Sequence, residues 1–285
     1  MAEVGSPEAT EPAAAVEAPA ASDGTARPPL EIEILTLFPG MFTGPLGESI
    51  PGRVQTRGLA VVRVHDLRQW GMGRHKTVDD YTYGGGAGMV LRPEPVAEAL
   101  DVLRRPDSTV ILPDPGGEVF AQPRAHDLAE RSHLIILCPR YEGVDERIRS
   151  MVDLELSIGD YVLSGGEIPA LVMVDTIMRL LPGAIDAEST AEESFTSGLL
   201  EYPQYTRPAE FRGVTVPSTL TSGHHEAVRK WRLKEALRRT LGRRPELLEG
   251  RALTKEEAKL MGEVRAEVRA EAADLEGNET GSAAK

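Results

Sequence analysis

The chain of 285 residues has little of several residue types, and each shortage excludes a class of protein. It contains one cysteine, Cys138, so an intramolecular disulfide is excluded and a metal cluster held by several thiolates is not expected. Its six histidines are scattered without the spacing of a metal site. A single free thiol fits the reducing cytosol, and we therefore expect a cytoplasmic protein.

Long apolar runs are also missing. No stretch approaches the roughly 18 apolar residues that would span a bilayer, so we expect no membrane association. Residues 1–29 are rich in Ala, Pro and Glu and have few bulky side chains, which predicts a disordered tail. This segment has neither a basic start nor an apolar stretch, so a signal peptide is not expected.

Basic residues are fewer than acidic ones, and the net charge of −13 taken alone argues against a nucleic-acid partner. The distribution of charge along the chain indicates the opposite. Residues 224–251 contain nine Lys or Arg and four Glu, which gives this segment a net charge of +5. A basic segment in an acidic chain is typical of a local surface for phosphate groups, so the sequence favours a nucleic-acid partner.

Apolar runs that alternate with helical patterns predict an α/β domain with a parallel sheet over residues 30–184. The predicted strands are Glu31–Phe38, Leu59–Val64, Thr109–Leu112 and His133–Cys138. The predicted helices are Pro93–Arg104, Arg124–Arg131 and Ile168–Leu181. The last helix is apolar on nearly all sides, so we expect it to be buried.

The rest of the chain has a different character. Residues 185–205 are polar and irregular, which predicts an interdomain linker. Residues 206–275 are predicted to form a small helical domain, with a helix near 224–241 whose basic side is exposed. Residues 276–285 are predicted to be a second flexible tail.

Glycine-rich loops follow the apolar strands at residues 112–117, 138–143 and 157–167. Any one of them can be a tight turn before a helix. Together they predict a site, because ligands of parallel sheets bind outside the carboxyl ends of the strands. A fourth segment, residues 75–89, combines a cation, carboxylates, aromatics and glycines, and it is either a lid over a substrate or a flexible surface loop.

Several catalytic motifs are absent. His225–Arg229 differs from the zinc-protease pattern because Arg229 stands where that pattern has its second His. No Gly-x-Ser-x-Gly elbow occurs, and residues 84–88 match neither a Walker loop nor a dinucleotide fingerprint. Asp175 and Arg179 are four residues apart on a predicted helix, so a local ion pair is one account of both.

Longer motifs carry a family resemblance. They are Phe38–Phe42, Arg74–Asp80, Tyr83–Met89, Arg140–Arg147, Ser157–Glu167, Tyr205–Pro208, Ser222–His225 and Arg229–Arg232. With these motifs in this order, residues 32 to 260 resemble the TrmD-type tRNA (guanine-N1)-methyltransferases of the SPOUT class. The resemblance implies a parallel α/β sheet with a deep trefoil knot, which is a rare exception to unknotted topology, and a small C-terminal helical domain. It also implies a homodimer.

The same resemblance implies a reaction, in which S-adenosylmethionine supplies a methyl group to N1 of the guanosine at position 37 of tRNA. The implied cofactor contacts are Pro115, Tyr141, Glu142, Gly143, Ile158, Gly159, Tyr161, Leu163, Gly165, Gly166 and Pro169. A magnesium ion is also implied in catalysis, and the sequence shows no site for it.

Two residues are implied in the chemistry. Arg179 would stabilise charge on guanine O6, and Glu193 would be the general base. The family usually has Asp at the position of Glu193, so the carboxylate is one methylene longer here, and Glu192 is the alternative base. Pro139 stands where the family usually has Gly, which removes one backbone donor near the cofactor.

RNA binding is expected to rest on cations that meet phosphates. The expected residues are His75, Lys76, Arg229, Lys230, Arg232, Arg238 and Arg239. Two alternatives stay open: a non-catalytic SPOUT-fold RNA-binding protein, and a related SPOUT methyltransferase that acts on another RNA or on a ribose hydroxyl. A phosphate-binding enzyme that uses residues 84–88 is a more distant reading.

Overall fold

A five-stranded parallel sheet lies in the first of two compact units of the computed structural model, which divide between residues 185 and 186. The structure describes residues 27–86, 88–186 and 193–282. The predicted tail up to residue 26 lies outside the described residues. So does Glu192, one of the two candidate bases.

Runs of aliphatic and β-branched residues form the strands of the first unit. In chain order they are β1 (Leu30–Thr36), β2 (Ala60–Asp66), β3 (Asp79–Tyr81), β4 (Met89–Leu91), β5 (Ser108–Val119), β6 (His133–Leu137) and β7 (Leu154–Ser157). The sheet order is β2-β1-β6-β5-β7 with parallel pairings, and β3 and β4 form a separate antiparallel pair. The predicted α/β class with a parallel sheet is confirmed.

Helices connect these strands. They are α1 (Thr43–Gly47), α2 (Ser49–Thr56), α3 (Pro93–Leu103), α4 (Gln122–Ala129), α5 (Glu146–Arg149) and α6 (Glu167–Met178), with 3-10 turns at Pro39–Met41 and Leu67–Trp70. Pro93 and Pro169 lie in the first turns of α3 and α6, where a helix has no use for the missing N–H.

The strand β6 shows why the central strands are continuous apolar runs in the sequence. Leu134 and Ile136 pack on one face of the sheet in a cluster that includes Met173 of α6. Ile135 and Leu137 pack on the other face with Val96 of α3. Because both faces are covered by helices, no position along the strand meets water, and alternation of polar residues is not needed.

The boundaries of three elements differ from those expected. The strand β5 continues to Val119 because its pairing with β7 resumes at Glu118 after a bulge that begins at Pro113. The helix α6 ends at Met178 rather than Leu181, since the chain then tightens into a turn. The segment 75–89, expected to be a lid or a surface loop, includes β3 and ends at the first residue of β4, with which β3 pairs.

The second unit is mainly helical. Its elements are β8 (Glu210–Phe211), β9 (Val214–Thr215), α7 (Ser218–Thr221), α8 (His225–Arg243) and α9 (Lys255–Ser282), with a 3-10 turn at Pro245–Leu248. Leu237 of α8 is fully buried in a cluster with Leu260 and Met261 of α9. The helix α9 continues to Ser282, past residue 275, from which a flexible tail is predicted.

Membrane insertion has no candidate segment in the described part of the chain. None of the helices there combines the length and the apolar character needed to cross a bilayer.

Glu31, near the start of β1, forms ion pairs with two arginines of the first unit. Hydrogen bonds from Arg105 and Arg63 lower the pKa of Glu31 to about 2, from 4.5. Since the folded-state pKa is below the unfolded one, this stabilisation is present above about pH 4.5 and is lost as the pH falls toward 2. We expect Glu31→Gln to lower the free energy of unfolding by about 1 kcal/mol at pH 7.

Urea unfolding between pH 7 and pH 3 measures this difference. The gap between the parent and Glu31→Gln should narrow as the pH falls below 4.5. Glu98→Gln, at an exposed position of α3, is the matched control and should change little at any pH. A gap for Glu31→Gln that is independent of pH would contradict the assignment.

Candidate active site

The bulge in β5 and the loops after β6 and β7 line one cavity of about 180 Å³, which is open to solvent on one side. All eleven residues expected to contact the cofactor line this cavity: Pro115, Tyr141, Glu142, Gly143, Ile158, Gly159, Tyr161, Leu163, Gly165, Gly166 and Pro169.

Seven further residues line the cavity that were not among the expected cofactor contacts. They are Pro113, Asp114, Pro139, Arg140, Leu156, Ser157 and Val162. Each lies within two residues of an expected contact, and all but Leu156 fall in the glycine-rich loops 112–117, 138–143 and 157–167.

The loops after β6 and β7 touch at Gly166. Its N–H donates a hydrogen bond to the carbonyl of Pro139 at 2.8 Å. A Cβ at Gly166 would lie 2.3 Å from Cδ of Pro139 and 2.8 Å from Cα of Cys138, so no larger residue fits without a shift. Pro139 lacks a backbone donor, but the interaction with Gly166 uses its carbonyl, which remains.

Arg140 links the same two loops through its side chain. Its Nε lies 2.8 Å from Oε2 of Glu167, and one of its terminal nitrogens donates to the carbonyl of Ser164 at 3.0 Å. The hydroxyl of Thr36 donates to Oε1 of Glu167 at 2.8 Å. Glu167 and Thr36 are fully buried, so Arg140 compensates a carboxylate that is removed from water.

Tyr141 and Glu142 extend this wall toward the β3–β4 pair. Tyr141 has a φ of +61°, an uncommon backbone conformation for a residue other than glycine. Burial and the nearby Asp79 raise the pKa of Tyr141, so its phenol stays neutral at ordinary pH. The N–H of Glu142 donates to the carbonyl of Met89 at 3.0 Å, which holds the loop against β4.

The lining suits a purine nucleoside with a polar appendage. Pro115, Ile158, Leu163 and Pro169 offer apolar surface for a flat ring. The Glu142 carboxylate can accept hydrogen bonds from hydroxyl or ammonium groups. S-adenosylmethionine has these parts, so the residues present fit the cofactor that the resemblance implies.

The single cysteine takes no part in a metal site. Cys138 is fully buried, and burial raises the pKa of its thiol well above the ordinary value, which leaves it unreactive. In residues 27–86, 88–186 and 193–282, no group of three or more His, Cys, Asp or Glu side chains is placed to hold a metal ion.

The two residues implied in the chemistry belong to different units. Arg179 caps the carboxyl end of α6 and is half-buried, with its backbone N–H donating to the carbonyl of Asp175. Glu193 lies near the start of the second unit and is also half-buried, and its carbonyl accepts a hydrogen bond from Thr196 at 3.3 Å.

The basic segment is paired with carboxylates of its own unit at its amino end. Arg229 lies 2.9 Å from Glu226 and 2.6 Å from Glu256, so one of its partners comes from α9. These contacts raise the pKa of Arg229. Lys230 lies 3.3 Å from the same Glu226.

Pairing continues along the helix. Arg238 contacts Glu235 and Glu271 at 3.4 Å and makes a closer ion pair with Glu267. Arg239 donates to the carbonyl of Glu201 at 3.0 Å. Arg232 lies over the ring of Tyr202, 4.8 Å from its centroid. Several cations expected to meet phosphates are thus engaged within the unit.

His75 and Lys76 lie apart from that segment, in the first unit. Both are exposed in the turn between Met72 and Thr77, whose backbones pair. Lys76 has a φ of +52°, and its ammonium donates to the carbonyl of Gln69 at 3.2 Å. The turn presents both side chains to solvent.

A parallel sheet with a cavity lined by loops at the carboxyl ends of its strands defines an α/β protein of the class that binds small ligands at this edge. Comparison with known families identifies which one. Residues 30–250 match the sequence model of a family described as tRNA (Guanine-1)-methyltransferase TrmD, and the chain belongs to this family.

Individual relatives agree with that assignment. A tRNA (guanine-N(1)-)-methyltransferase of Dictyoglomus turgidum is 52% identical over 243 residues, which cover 85% of this chain and 99% of the relative. Proteins with the same name from Halalkalibacterium halodurans and Chloroflexus aggregans are 54% and 52% identical. These matches cover 83% and 82% of this chain, and 98% and 95% of the relatives.

Proposed function

We propose that the protein transfers a methyl group from S-adenosylmethionine to N1 of the guanosine at position 37 of tRNA. Membership of the TrmD family supports the methyl transfer to tRNA guanine. The observation that carries the proposal is the cavity, because it brings all eleven expected cofactor residues of this chain around one space.

The cofactor would be held mainly by the loops after β6 and β7. Its purine would lie among the apolar side chains of Ile158, Leu163 and Pro169, and its polar groups would meet Glu142 and peptide groups of the loops. When bound, it supplies an electrophilic methyl group on a sulfonium. Family membership supports a knotted arrangement of these loops and a homodimer.

The acceptor needs help from the protein. N1 of guanine carries a proton, and its lone pair is delocalised into the ring amide. The Glu193 carboxylate would take that proton, while the Arg179 guanidinium donates hydrogen bonds to O6, where negative charge collects. The N1 electrons would then form the new bond to the methyl carbon, and the electrons of the broken carbon–sulfur bond would stay on sulfur.

Glutamate suits the role of base despite its extra methylene. In model peptides the side chains of glutamate and aspartate have pKa values near 4, so the two residue types have similar basicity. Position matters more, since a shift near 1 Å can cost about 10² in rate. We therefore assign the proton transfer to Glu193 and make Glu192 the alternative that mutagenesis has to separate. No step is assigned to the magnesium ion that the family resemblance implies.

RNA would be bound through cations of both units. His75 and Lys76 are exposed, and Arg229, Lys230, Arg232, Arg238 and Arg239 supply a basic helix whose ion pairs must loosen wherever a phosphate replaces a carboxylate. Phosphate contacts provide affinity without sequence choice, so selection would come from the target base itself, extruded from its loop.

Transfer of labelled methyl groups to three unmodified tRNAs tests the proposal. One has guanosine at position 37 preceded by guanosine, one has guanosine preceded by another base, and one has adenosine at position 37. We expect turnover on a guanosine-37 substrate and none on the adenosine-37 substrate. Cofactor binding without turnover on any tRNA would instead favour a non-catalytic RNA-binding protein.

A further inference from the structure

A hairpin in the second unit exposes apolar and aromatic surface. The strands β8 and β9 are joined by Arg212 and Gly213, whose φ values of +51° and +80° make a tight turn at the tip. Phe211 is 62% exposed and Val214 is 68% exposed. A contiguous exposed apolar patch on a soluble protein is typical of a surface that another molecule covers.

The hairpin and the segment that precedes it line a groove of about 450 Å³. Tyr205 and Pro208 line one side, and Phe211, Val214 and Val216 line the other. Tyr205 is 45% exposed, so its ring is accessible from the groove as well as packed near Trp231. We call this space, defined by these five side chains, the hairpin groove.

Arg212 lines the groove, and Arg207 lies in the chain between two other lining residues, Thr206 and Pro208. Arg212 lies over the ring of Phe211, 5.1 Å from its centroid, and Arg207 is exposed. Within the part of the chain that the structure describes, neither guanidinium forms an ion pair. The contrast with α8 is clear, because Arg229 and Arg238 are each paired with more than one carboxylate.

Aromatic rings beside unpaired arginines have a preferred ligand. Bases without a pairing partner stack on aromatic side chains and on guanidinium planes, and the adjoining phosphates pair with arginine. An acidic peptide would use the arginines but leave the rings exposed. A purely apolar partner would cover the rings and bury the two charges without compensation.

We propose that the hairpin groove binds an unpaired nucleotide of the tRNA substrate, with its base against Phe211 and Tyr205 and its phosphate at Arg212 or Arg207. The inference rests on the proposed function and deepens it. It adds the arginines at the hairpin groove to the tRNA-binding surface of the protein, beside the cations of α8 that form ion pairs.

The full chain, loaded with S-adenosylmethionine, allows a direct test by titration with tRNA. Phe211→Ala should weaken tRNA binding about 5- to 100-fold. This is the loss of affinity that corresponds to the free energy of stacking one base on an aromatic ring. Phe211→Trp keeps a stacking surface and should restore binding to within about threefold of the parent. Val268→Ala, at an exposed apolar position of α9, is the control and should leave binding unchanged.

The salt dependence of tRNA affinity distinguishes the contribution of the Arg212 charge from that of the Phe211 ring. Arg212→Ala should reduce the slope of log affinity against log salt by about one, whereas Phe211→Ala should leave that slope unchanged. Arg265→Ala removes the same charge from an exposed position of α9 and should not alter the slope. Affinity for S-adenosylmethionine should be the same in all variants.

Three results would overturn the proposal. The first is a Phe211→Ala protein that binds tRNA like the parent while the parent methylates tRNA, which would leave the proposed function standing. The second is a change of oligomeric state in Phe211→Ala on sedimentation, which would make the groove an interface between two copies of the chain. The third is a parent that neither binds nor methylates tRNA, which would remove the proposed function as well.

Discussion

Glu193→Gln is expected to lower kcat for tRNA methylation by about 10² to 10⁴, since that is the range supplied by a general base. Glutamine keeps the length and shape of the side chain but cannot accept the N1 proton. Affinities for tRNA and S-adenosylmethionine should change little, because the carboxylate acts on a proton that leaves only during the reaction. Single-turnover measurements with saturating substrates provide the comparison.

Two further variants serve as controls for the assignment of the base to Glu193. Glu249→Gln, at an exposed position of the second unit, is the matched control and should retain full activity. Glu192→Gln tests the alternative base. If Glu192→Gln abolishes turnover while Glu193→Gln preserves it, the reaction stands and the assignment of the base is wrong.

Arg179 should behave as the electrophilic partner. Its replacement by lysine keeps the positive charge but loses the planar fork that addresses one oxygen with two donors. A loss of one such donor to a developing oxyanion costs about 10² to 10³ in kcat. If Arg179→Lys raises KM for tRNA and leaves kcat intact, Arg179 binds substrate without stabilising charge at O6.

Gly166→Ala is expected to disable cofactor binding. The added Cβ would lie 2.3 Å from Cδ of Pro139 and 2.8 Å from Cα of Cys138, and the second of these atoms belongs to the backbone. Relief of the clash requires the two loops that line the cavity to separate. Overpacking of this kind costs about 1–3 kcal/mol of stability. A displacement near 1 Å at the reacting centre would lower turnover by about 10².

Calorimetric titration with S-adenosylmethionine and thermal unfolding measure the two effects. Gly44→Ala in α1 is the control, since a Cβ there has no atom within 4 Å. It should bind the cofactor like the parent. Cofactor affinity in Gly166→Ala equal to that of the parent would show that the contact between the loops does not shape the site.

Local sequence predicts the central strands well because burial on both faces leaves a continuous apolar run. The run at residues 133–138 is confirmed as β6, and the run at 109–112 as the first part of β5. Glycine-rich loops after these runs also predict one cavity, because parallel strands bring their carboxyl ends to the same edge. The order of strands in the sheet has no local signal and had to come from the structure.

Side-chain partners that are distant in sequence were not predictable. Nothing near Arg140 in the chain indicates that its partner is Glu167 or that Thr36 completes the contact. Arg229 and Glu256 are likewise on different helices, so a basic segment that reads as an open face is partly neutralised in the structure. Charge patterns along a sequence show only the cations, whereas their carboxylate partners depend on helix packing.

The most direct test of the account is the identity of the product. Unmodified tRNA with guanosine at position 37 would be incubated with the full chain and labelled S-adenosylmethionine, digested to nucleosides, and examined by mass spectrometry, with position-specific cleavage to locate the label. The account predicts 1-methylguanosine at position 37 and no other methylated nucleoside. A methyl group on a ribose, on another atom of guanine or at another position would contradict it.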